Sequence, residues 1–402
     1  MMTKKTPKHA ANIQGLTRLT TAATVGLTDL VEALHHTVTR NPETLSTPTP
    51  STVHQVYESI RNMTNLGGKE TEALLASLVP LLDTQHTSPE QDVIRAALNG
   101  ALGDYLAATN NPLAVSMHLR YEGHALDLAP TSLVTALPQP RRTIILFVHG
   151  LCLTDQHWEW QGYDYGTLLA TDLGATAIYL QYNTGLHIST NGRKLADILE
   201  TLHHNWPVPL DNIIIIGHSM GGLVTRGACH YGAVAQHTWL RCLRQIIFLG
   251  TPHHGAPLER YAHEVQRLLD SNPYTTPFAQ LGSLRSDGIT DLGYGNLVDE
   301  DWSTPSRPMS MGDQRHPVPL PRGVQCYAIG ATTGYTVGDL GDYLLGDGLV
   351  PLQSALGHHH DPRHMLLFPE SHQWIGYTMH HMDLLHRHEV YTQMRYWLAG
   401  VL

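Results

Sequence analysis

One serine of the sequence lies in a pattern that is typical of a catalytic nucleophile. Ser219 is the central residue of the sequence GHSMG at residues 217–221, and four consecutive isoleucines precede this pattern. A short, β-branched apolar run predicts a strand that is buried on both faces, as in a parallel sheet. A G-x-S-x-G between such a strand and a helix is typical of a nucleophile elbow, where the serine lies on a strained, exposed turn. We therefore predict that Ser219 is the nucleophile of an acyl-transfer reaction.

The sequence also contains candidates for the acid that such a serine needs. A histidine must accept the proton of the hydroxyl, and a carboxylate must orient that histidine. In a strand-elbow arrangement the chain order is serine, acid, histidine. Asp347 fits the acid, because it lies in a glycine-rich turn that follows a predicted strand. An Asp-Gly pair is also an ordinary turn signal, and Asp339 and Asp342 of the same loop are the alternative acids.

The histidine has several candidates, because the chain contains 28 histidines. Those that follow the last predicted strand lie at positions 372, 380, 381, 386 and 388. His381 stands immediately before the predicted start of the final helix, at the end of a loop that can reach over the sheet edge. We predict His381 as the general base, with His380 as its direct competitor. His386 and His388 are expected on the solvated face of the final helix.

The oxyanion of a tetrahedral intermediate needs two backbone donors. One is predicted to be the N–H of Met220, the residue after the nucleophile. The other should come from the loop HGLC at residues 149–152, which follows a predicted strand. Leu151 is the best candidate, since Gly150 permits a tight turn that aims the Leu151 N–H inward. Cys152 is interpreted as a small buried residue.

The elements that must position these residues alternate regularly along the chain. Strands are predicted over residues 143–148, 176–181, 212–217, 245–249, 325–329 and 364–368, and helices over 192–202, 223–231 and 384–398. This alternation predicts an α/β fold with a doubly wound, mostly parallel sheet. A hairpin is predicted before it, from alternating apolar residues on either side of a turn at 122–123.

Two regions depart from the alternation. Residues 257–321 combine an amphipathic segment with Gly-, Pro- and Asp-rich segments, which favours a cap or lid over the site. Residues 1–112 show helical apolar spacing without candidate chemistry, so we predict an N-terminal helical region whose partner is unknown. The second predicted domain is the α/β domain at 113–402, which carries the 257–321 insertion.

Composition and charge argue against several classes of function. The 402-residue chain has a formal net charge of -10 and no basic run, so we expect no nucleic-acid partner. No apolar stretch approaches the roughly 18 residues of a transmembrane helix, and the N-terminus lacks the apolar core of a secretory signal. The four cysteines show no framework spacing. We expect a cytoplasmic location, with non-standard export left open.

Histidines at 358–360 and 364, together with Asp361, form a cluster whose residue types could bind a metal. Consecutive histidines cannot all point to one centre, so a solvated loop is the favoured interpretation. We therefore predict neither a metal site nor another cofactor.

Five segments together resemble a known fold: HGL at 149–151, GHSMGG at 217–222, GTPHHG at 250–255, DGLV at 347–350 and HMDLL at 381–385. They are similar to the α/β-hydrolase fold and, within it, to bacterial triacylglycerol lipases and esterases and to the PGAP1-like lipase group, over roughly residues 113–402. The resemblance implies Ser219 as nucleophile, Asp347 as acid and His381 as base. It places Leu151 and Met220 at the oxyanion hole. The residues expected to line the pocket are His149, His218, His253 and His254.

The sequence thus predicts a serine hydrolase that cleaves carboxylic esters through an acyl-enzyme on Ser219. The apolar character of the predicted cap favours an ester substrate with an apolar acyl group. The same triad would serve an acyltransferase or a thioesterase. A catalytically silent binding protein on the same fold is the alternative from another class.

Overall fold

The strands of the sheet are the apolar, β-branched runs of the sequence. The computed structural model describes residues 89–160, 162–256, 286–303, 313–335 and 346–399. Strands within these ranges are β1 (His118–Tyr121), β2 (His124–Ala125), β3 (Thr143–Val148), β4 (Glu159–Trp160), β5 (Tyr163–Asp164), β6 (Thr176–Gln181), β7 (Asn212–His218), β8 (Leu243–Leu249), β9 (Gln325–Thr332) and β10 (Gln373–Tyr377). Every residue of β3 is buried, as expected of a strand that is covered on both faces.

Eight of these strands form one sheet in the order β10-β9-β8-β7-β3-β6-β1-β2. The pairs from β10 to β6 are all parallel, and only the hairpin β1–β2 and its pairing with β6 are antiparallel. The predicted doubly wound, mostly parallel sheet is therefore confirmed. Because parallel strands point the same way, the loops after β3, β7, β8 and β9 all emerge at one edge of the sheet.

Helices cover the sheet and join its parallel strands. The α-helices of the described residues are α1 (Pro89–Ala108), α2 (Pro130–Ala136), α3 (Tyr165–Leu173), α4 (Ile188–Asn205), α5 (Met220–Val234), α6 (Asp287–Tyr294), α7 (Asp299–Ser303), α8 (Leu352–Ala355) and α9 (His388–Ala399). Short 3₁₀ helices occupy Asp155–Trp158, Trp239–Arg241, Glu370–His372 and His381–Leu385. None of the helices described is long and apolar enough to cross a membrane.

The strand predicted at residues 364–368 is wrong. These residues have no regular structure, and the last strand of the sheet is β10, further along the chain. The apolar pattern is real, because Leu366 and Phe368 are buried whereas Leu367 is 82% exposed. The backbone, however, bonds to a turn instead of a strand, with the Leu366 N–H donating to the Gly357 carbonyl at 2.9 Å. The final helix also begins later than predicted, at His388.

Helix α1 packs into the same core as the sheet. Ala97, Leu98 and Leu106 of α1 are buried in the hydrophobic cluster that contains the central strands. Its backbone lies so close to the loop after β6 that a Cβ on Gly185 would be 2.2 Å from the Asn99 carbonyl oxygen. The rest of the predicted N-terminal region, residues 1–88, lies outside the described residues, as do the segment 261–269 and the alternative acids Asp339 and Asp342.

The packing of α1 predicts the effect of adding one methyl group. Gly185→Ala should lower the free energy of unfolding by about 1–3 kcal/mol, because backbone atoms of α1 leave no room for the new Cβ. Urea unfolding of the intact chain measures this. The matched control is Gly293→Ala in α6, where a Cβ would meet nothing within 4 Å, so that alanine should stabilise by up to about 1 kcal/mol. Equal effects of the two substitutions would contradict the packing of α1.

Candidate active site

Ser219 lies at the point where strand β7 ends and helix α5 begins, in a backbone conformation that side chains rarely adopt. Its φ angle is 53°. The glycines on either side are required by close backbone contacts: a Cβ on Gly217 would lie 2.8 Å from the Gly222 Cα, and one on Gly221 would lie 2.2 Å from the Val148 carbonyl oxygen. The Ser219 N–H donates to the Leu249 carbonyl at 2.8 Å. The turn therefore has the geometry of a nucleophile elbow.

Asp347 and His381 form a buried pair beside this turn. The His381 Nδ1 lies 2.6 Å from Asp347 Oδ2, and the Asp347 side chain is fully buried. The other carboxylate oxygen accepts the N–H groups of Leu349 at 3.0 Å and Val350 at 2.8 Å. Because an ionised carboxylate only accepts hydrogen bonds, Nδ1 of His381 carries the proton. Its Nε2 is therefore the atom that can act as a base.

The other late histidines lie elsewhere. His380 caps the 3₁₀ helix that His381 begins, where its own N–H donates to Asp383 at 2.7 Å. His372 stacks on Tyr327 in the 3₁₀ helix before β10. His386 stacks on Trp160 between the 3₁₀ helix and α9, and His388 is exposed at the start of α9. Of the five candidates, His381 is thus the one that the structure brings to Asp347.

Ser219 and His381 line one pocket at the carboxyl edge of the sheet. Within the described part of the chain no hydrogen bond joins the two side chains. Such contacts often tighten only when substrate is bound. The pocket spans about 430 Å³ including space that is open to solvent, and its walls are mainly apolar, formed by Leu151, Leu153, Pro252, Ala256, Leu292, Leu349, Val350 and Met382. An acyl chain could therefore lie against carbon atoms while its carbonyl lies beside Ser219.

The two predicted oxyanion donors flank this pocket. Met220 is the first residue of α5, so its N–H has no intrahelical acceptor. Leu151 lines the pocket in the loop after β3. That loop is held by Cys152, which has a φ of 61° and whose N–H donates to Thr184 Oγ1 at 3.2 Å. The anchoring by Thr184 was not predicted, because it joins two loops that are 32 residues apart in sequence.

His218 and His149 are buried beside Ser219. The His218 Nε2 donates to the His381 carbonyl at 3.3 Å, and its ring lines the pocket. Burial holds the pKa of His218 well below its usual value. His149 lies further back, stacked on Tyr182, and burial lowers its pKa to about 3. Both rings are therefore neutral at pH 7, and of the two His218 is the pocket residue.

Gly250 makes room for the His381 ring. It ends β8 with a φ of 55°, and a Cβ there would lie 3.0 Å from His381 Cε1. The sequence pattern includes this glycine but does not show its role, because the ring that it accommodates comes from a segment more than a hundred residues away.

His253 and His254 line a second cavity instead of the Ser219 pocket, so the structure does not place them as the resemblance implied. The chain makes a tight turn at this point, in which the Gly255 N–H donates to the Pro252 carbonyl at 2.9 Å. Pro252 faces the Ser219 pocket, and the turn directs the two following imidazoles to the other side.

The cluster at 358–364 is engaged in side-chain contacts. His358 Nδ1 bonds to Gln353 Oε1 at 2.7 Å, His359 lies 3.2 Å from Asp313, and Asp361 pairs with Arg363 at 2.6 Å. Among the residues that the structure describes, no group of three or more His, Cys, Asp or Glu is arranged to hold a metal ion. The four cysteines are free thiols.

Comparison with known families agrees with this geometry. Residues 141–307 match the PGAP1-like alpha/beta domain. The match covers somewhat less than half of the chain and includes the elbow, and it confirms the resemblance to the PGAP1-like group. Together with the strand order, it identifies the fold as an α/β-hydrolase fold. No match was found among curated proteins.

Three solved structures with related folds carry the names of lipases or esterases and have low sequence identity to this chain. The Bacillus licheniformis lipase BlEst2 in mature form is 18% identical, with a TM-score of 0.42 over 63% of this chain and 91% of that chain. Aspergillus fumigatus lipase B is 11% identical, with a TM-score of 0.38 over 90% and 83%. A lipase-esterase related protein from Clostridium acetobutylicum is 16% identical, with a TM-score of 0.35 over 72% and 100%. Likeness of this degree carries no argument about activity.

The contact between His381 and Asp347 predicts which of two adjacent histidines supports turnover. His381→Ala should lower kcat for ester hydrolysis by at least about a thousandfold, because the serine proton then has no acceptor. His380→Ala is the matched control and should retain most of the activity, since His380 caps a 3₁₀ helix through its backbone N–H, which the substitution keeps. Steady-state kinetics on both variants measures this. If His380→Ala lost turnover and His381→Ala kept it, His380 would be the base and His381 would not.

Proposed function

We propose that the protein is a serine hydrolase that cleaves carboxylic esters through an acyl-enzyme on Ser219. The observation that carries the proposal is the buried pair of Asp347 and His381, which shares one pocket with the elbow serine. The matched alpha/beta domain supports it by placing Ser219 within a fold that commonly carries this chemistry.

In this proposal His381 Nε2 takes the proton of Ser219 as Oγ attacks the ester carbonyl. The negative charge that forms on the carbonyl oxygen is stabilised by the N–H groups of Leu151 and Met220. Asp347 keeps the His381 proton on Nδ1 and stabilises the imidazolium. The alcohol leaves with the proton from Nε2, and a water molecule then reverses the sequence to release the acid. His149 and His218 do not act as bases in this proposal, because burial lowers the pKa of both rings and the His218 Nε2 donates to the His381 carbonyl.

The walls of the pocket support an apolar acyl group as the preferred substrate portion. Eight apolar side chains surround the reactive edge. Leu292 of α6 comes from the predicted insertion, and this supports our proposal that residues 257–321 form a cap on a hydrolase domain at 113–402. Transfer of the acyl group to another alcohol, or use of a thioester, would need the same residues, and product analysis with competing acceptors separates these reactions.

The nucleophile is tested by covalent labelling. A fluorophosphonate probe should label the wild-type protein, because activated serines attack its phosphorus atom, and Ser219→Ala should lose all labelling. Ser132→Ala is the control, since that partly exposed serine bonds to the exposed Asp127, and its labelling should equal that of the wild type. Folded wild-type protein that takes up no probe would refute the serine-hydrolase proposal and favour a binding protein.

The apolar walls predict a preference for longer acyl chains. In a series of aryl esters, kcat/KM should rise roughly three- to fourfold for each methylene that the pocket buries, up to the length of the pocket. Leu292→Ala should flatten this rise, whereas Leu367→Ala on the surface should not, because Leu367 is 82% exposed. A series in which acetate is the best ester would show that the walls do not contact the acyl chain.

A further inference from the structure

A second cavity lies next to the Ser219 pocket, on the other side of the turn at residues 252–255, and spans about 260 Å³ including space that is open to solvent. In contrast to the apolar pocket, it is lined by charged and polar side chains, which include Arg226, His253, His254, Arg315 and His364. No acidic side chain is among its lining residues in the described part of the chain. The proposed hydrolysis uses none of these groups.

Arg226 is a buried cation that forms no ion pair with an acidic side chain of the described residues. It lies on α5 two turns after Ser219 and is 4% exposed. Its Nη2 donates to the Val318 carbonyl and its Nη1 to His253 Nδ1 at 3.4 Å. Its Nε is buried and has no acceptor, and no carboxylate of the described residues lies within ion-pair distance. Burial lowers the pKa of Arg226 to about 9, so that the side chain remains charged at pH 7.

His253 presents a second donor without an acceptor. A guanidinium only donates hydrogen bonds, so the Nδ1 of His253 that faces Arg226 must be unprotonated. The proton of the neutral ring is therefore on Nε2. That nitrogen is buried and has no partner, and the residue as a whole is 1% exposed. Two N–H donors on side chains that contact each other thus lack an acceptor, which is unusual for buried groups.

The nearby acids do not pair with Arg226. Asp301 acts on the Arg226 charge only through space, and its carboxylate accepts backbone N–H groups of the cavity wall. Asp313 is held by Arg315, with Oδ2 at 2.5 Å from Nη2 and Oδ1 at 3.0 Å from Nε. Its charge therefore balances Arg315, and His359 Nε2 lies 3.2 Å from the same Oδ2. His254 in turn accepts from Arg315 Nη2 at 3.3 Å. The cavity is left with the positive charge of Arg226 and an excess of donors.

We propose that this second cavity binds a small oxyanion, of the class of phosphate or a carboxylate, with Arg226 and His253 as its principal donors. An anion there would balance the buried guanidinium and accept the two N–H groups that have no acceptor. Arginine is suited to this role, because the N–H groups of its planar guanidinium match the spacing of the oxygens of an oxyanion. The Nε2 of His364, which is also buried without a partner, adds a third possible contact.

Inorganic phosphate and acetate serve as the probes, in chloride buffer of constant ionic strength. Isothermal titration should show one site for at least one of them. A concentration tenfold above Kd should raise Tm by about 2 °C or more, since the anion binds only the folded state. Arg226→Met and Arg226→Lys should each weaken binding at least about tenfold. The lysine variant keeps the positive charge but lacks the planar set of guanidinium N–H donors. It therefore tests the site even if the methionine variant does not fold.

The control is Arg244→Met, which removes an exposed arginine and should bind the anion as the wild type does. Ser219→Ala should also bind it unchanged, so this result is independent of whether the protein is a hydrolase. Stabilisation by phosphate alone or by acetate alone would each support the site and would identify the class of its ligand. The proposal is overturned if neither anion binds the wild type, or if the Arg226 variants bind with unchanged affinity.

Discussion

The site depends on backbone contacts that only glycine permits. Helix α5 lies so close to the loop after β8 that a Cβ on Gly222 would be 2.0 Å from Thr251 Oγ1, and so close to β7 that a Cβ on Gly217 would meet the backbone of Gly222. These contacts hold Ser219 in its strained conformation between the loops after β3 and β8. Strain of this kind persists only where the surroundings determine it, and here the four buried isoleucines of β7 fix the strand that delivers the turn.

A second constraint is the burial of the Asp347 carboxylate. A buried charge is costly unless it is fully hydrogen-bonded, and this carboxylate accepts two backbone N–H groups and the His381 ring. The backbones of the two residues are also joined, because the His381 N–H donates to the Asp347 carbonyl at 3.0 Å. The acid and the histidine are therefore positioned as one unit, although 34 residues separate them along the chain.

The turn at residues 252–255 separates two environments of opposite character. Pro252 faces an apolar pocket, whereas His253 faces a cavity that is rich in donors and positive charge. Neighbouring residues of a tight turn point in different directions, so one short segment forms a wall of both. At this turn, Pro252 forms the wall of the Ser219 pocket, and the two histidines that follow it line the second cavity.

The sequence by itself determined the parallel strands from β3 to β9, the elbow and the order of the acid and the histidine. These features are local, or follow from the rule that parallel strands end at one edge, so the β-branched runs and the glycines around Ser219 were sufficient. Local pattern failed at residues 364–368, because alternation of buried and exposed leucines does not specify a strand without a neighbouring strand to bond. Only the tertiary structure showed that His381, and not His380, contacts Asp347, separated His253 from the Ser219 pocket, and revealed the contacts of Thr184 and Arg226. Each of these depends on contacts between segments that are distant in sequence, whose geometry no spacing of residue types encodes.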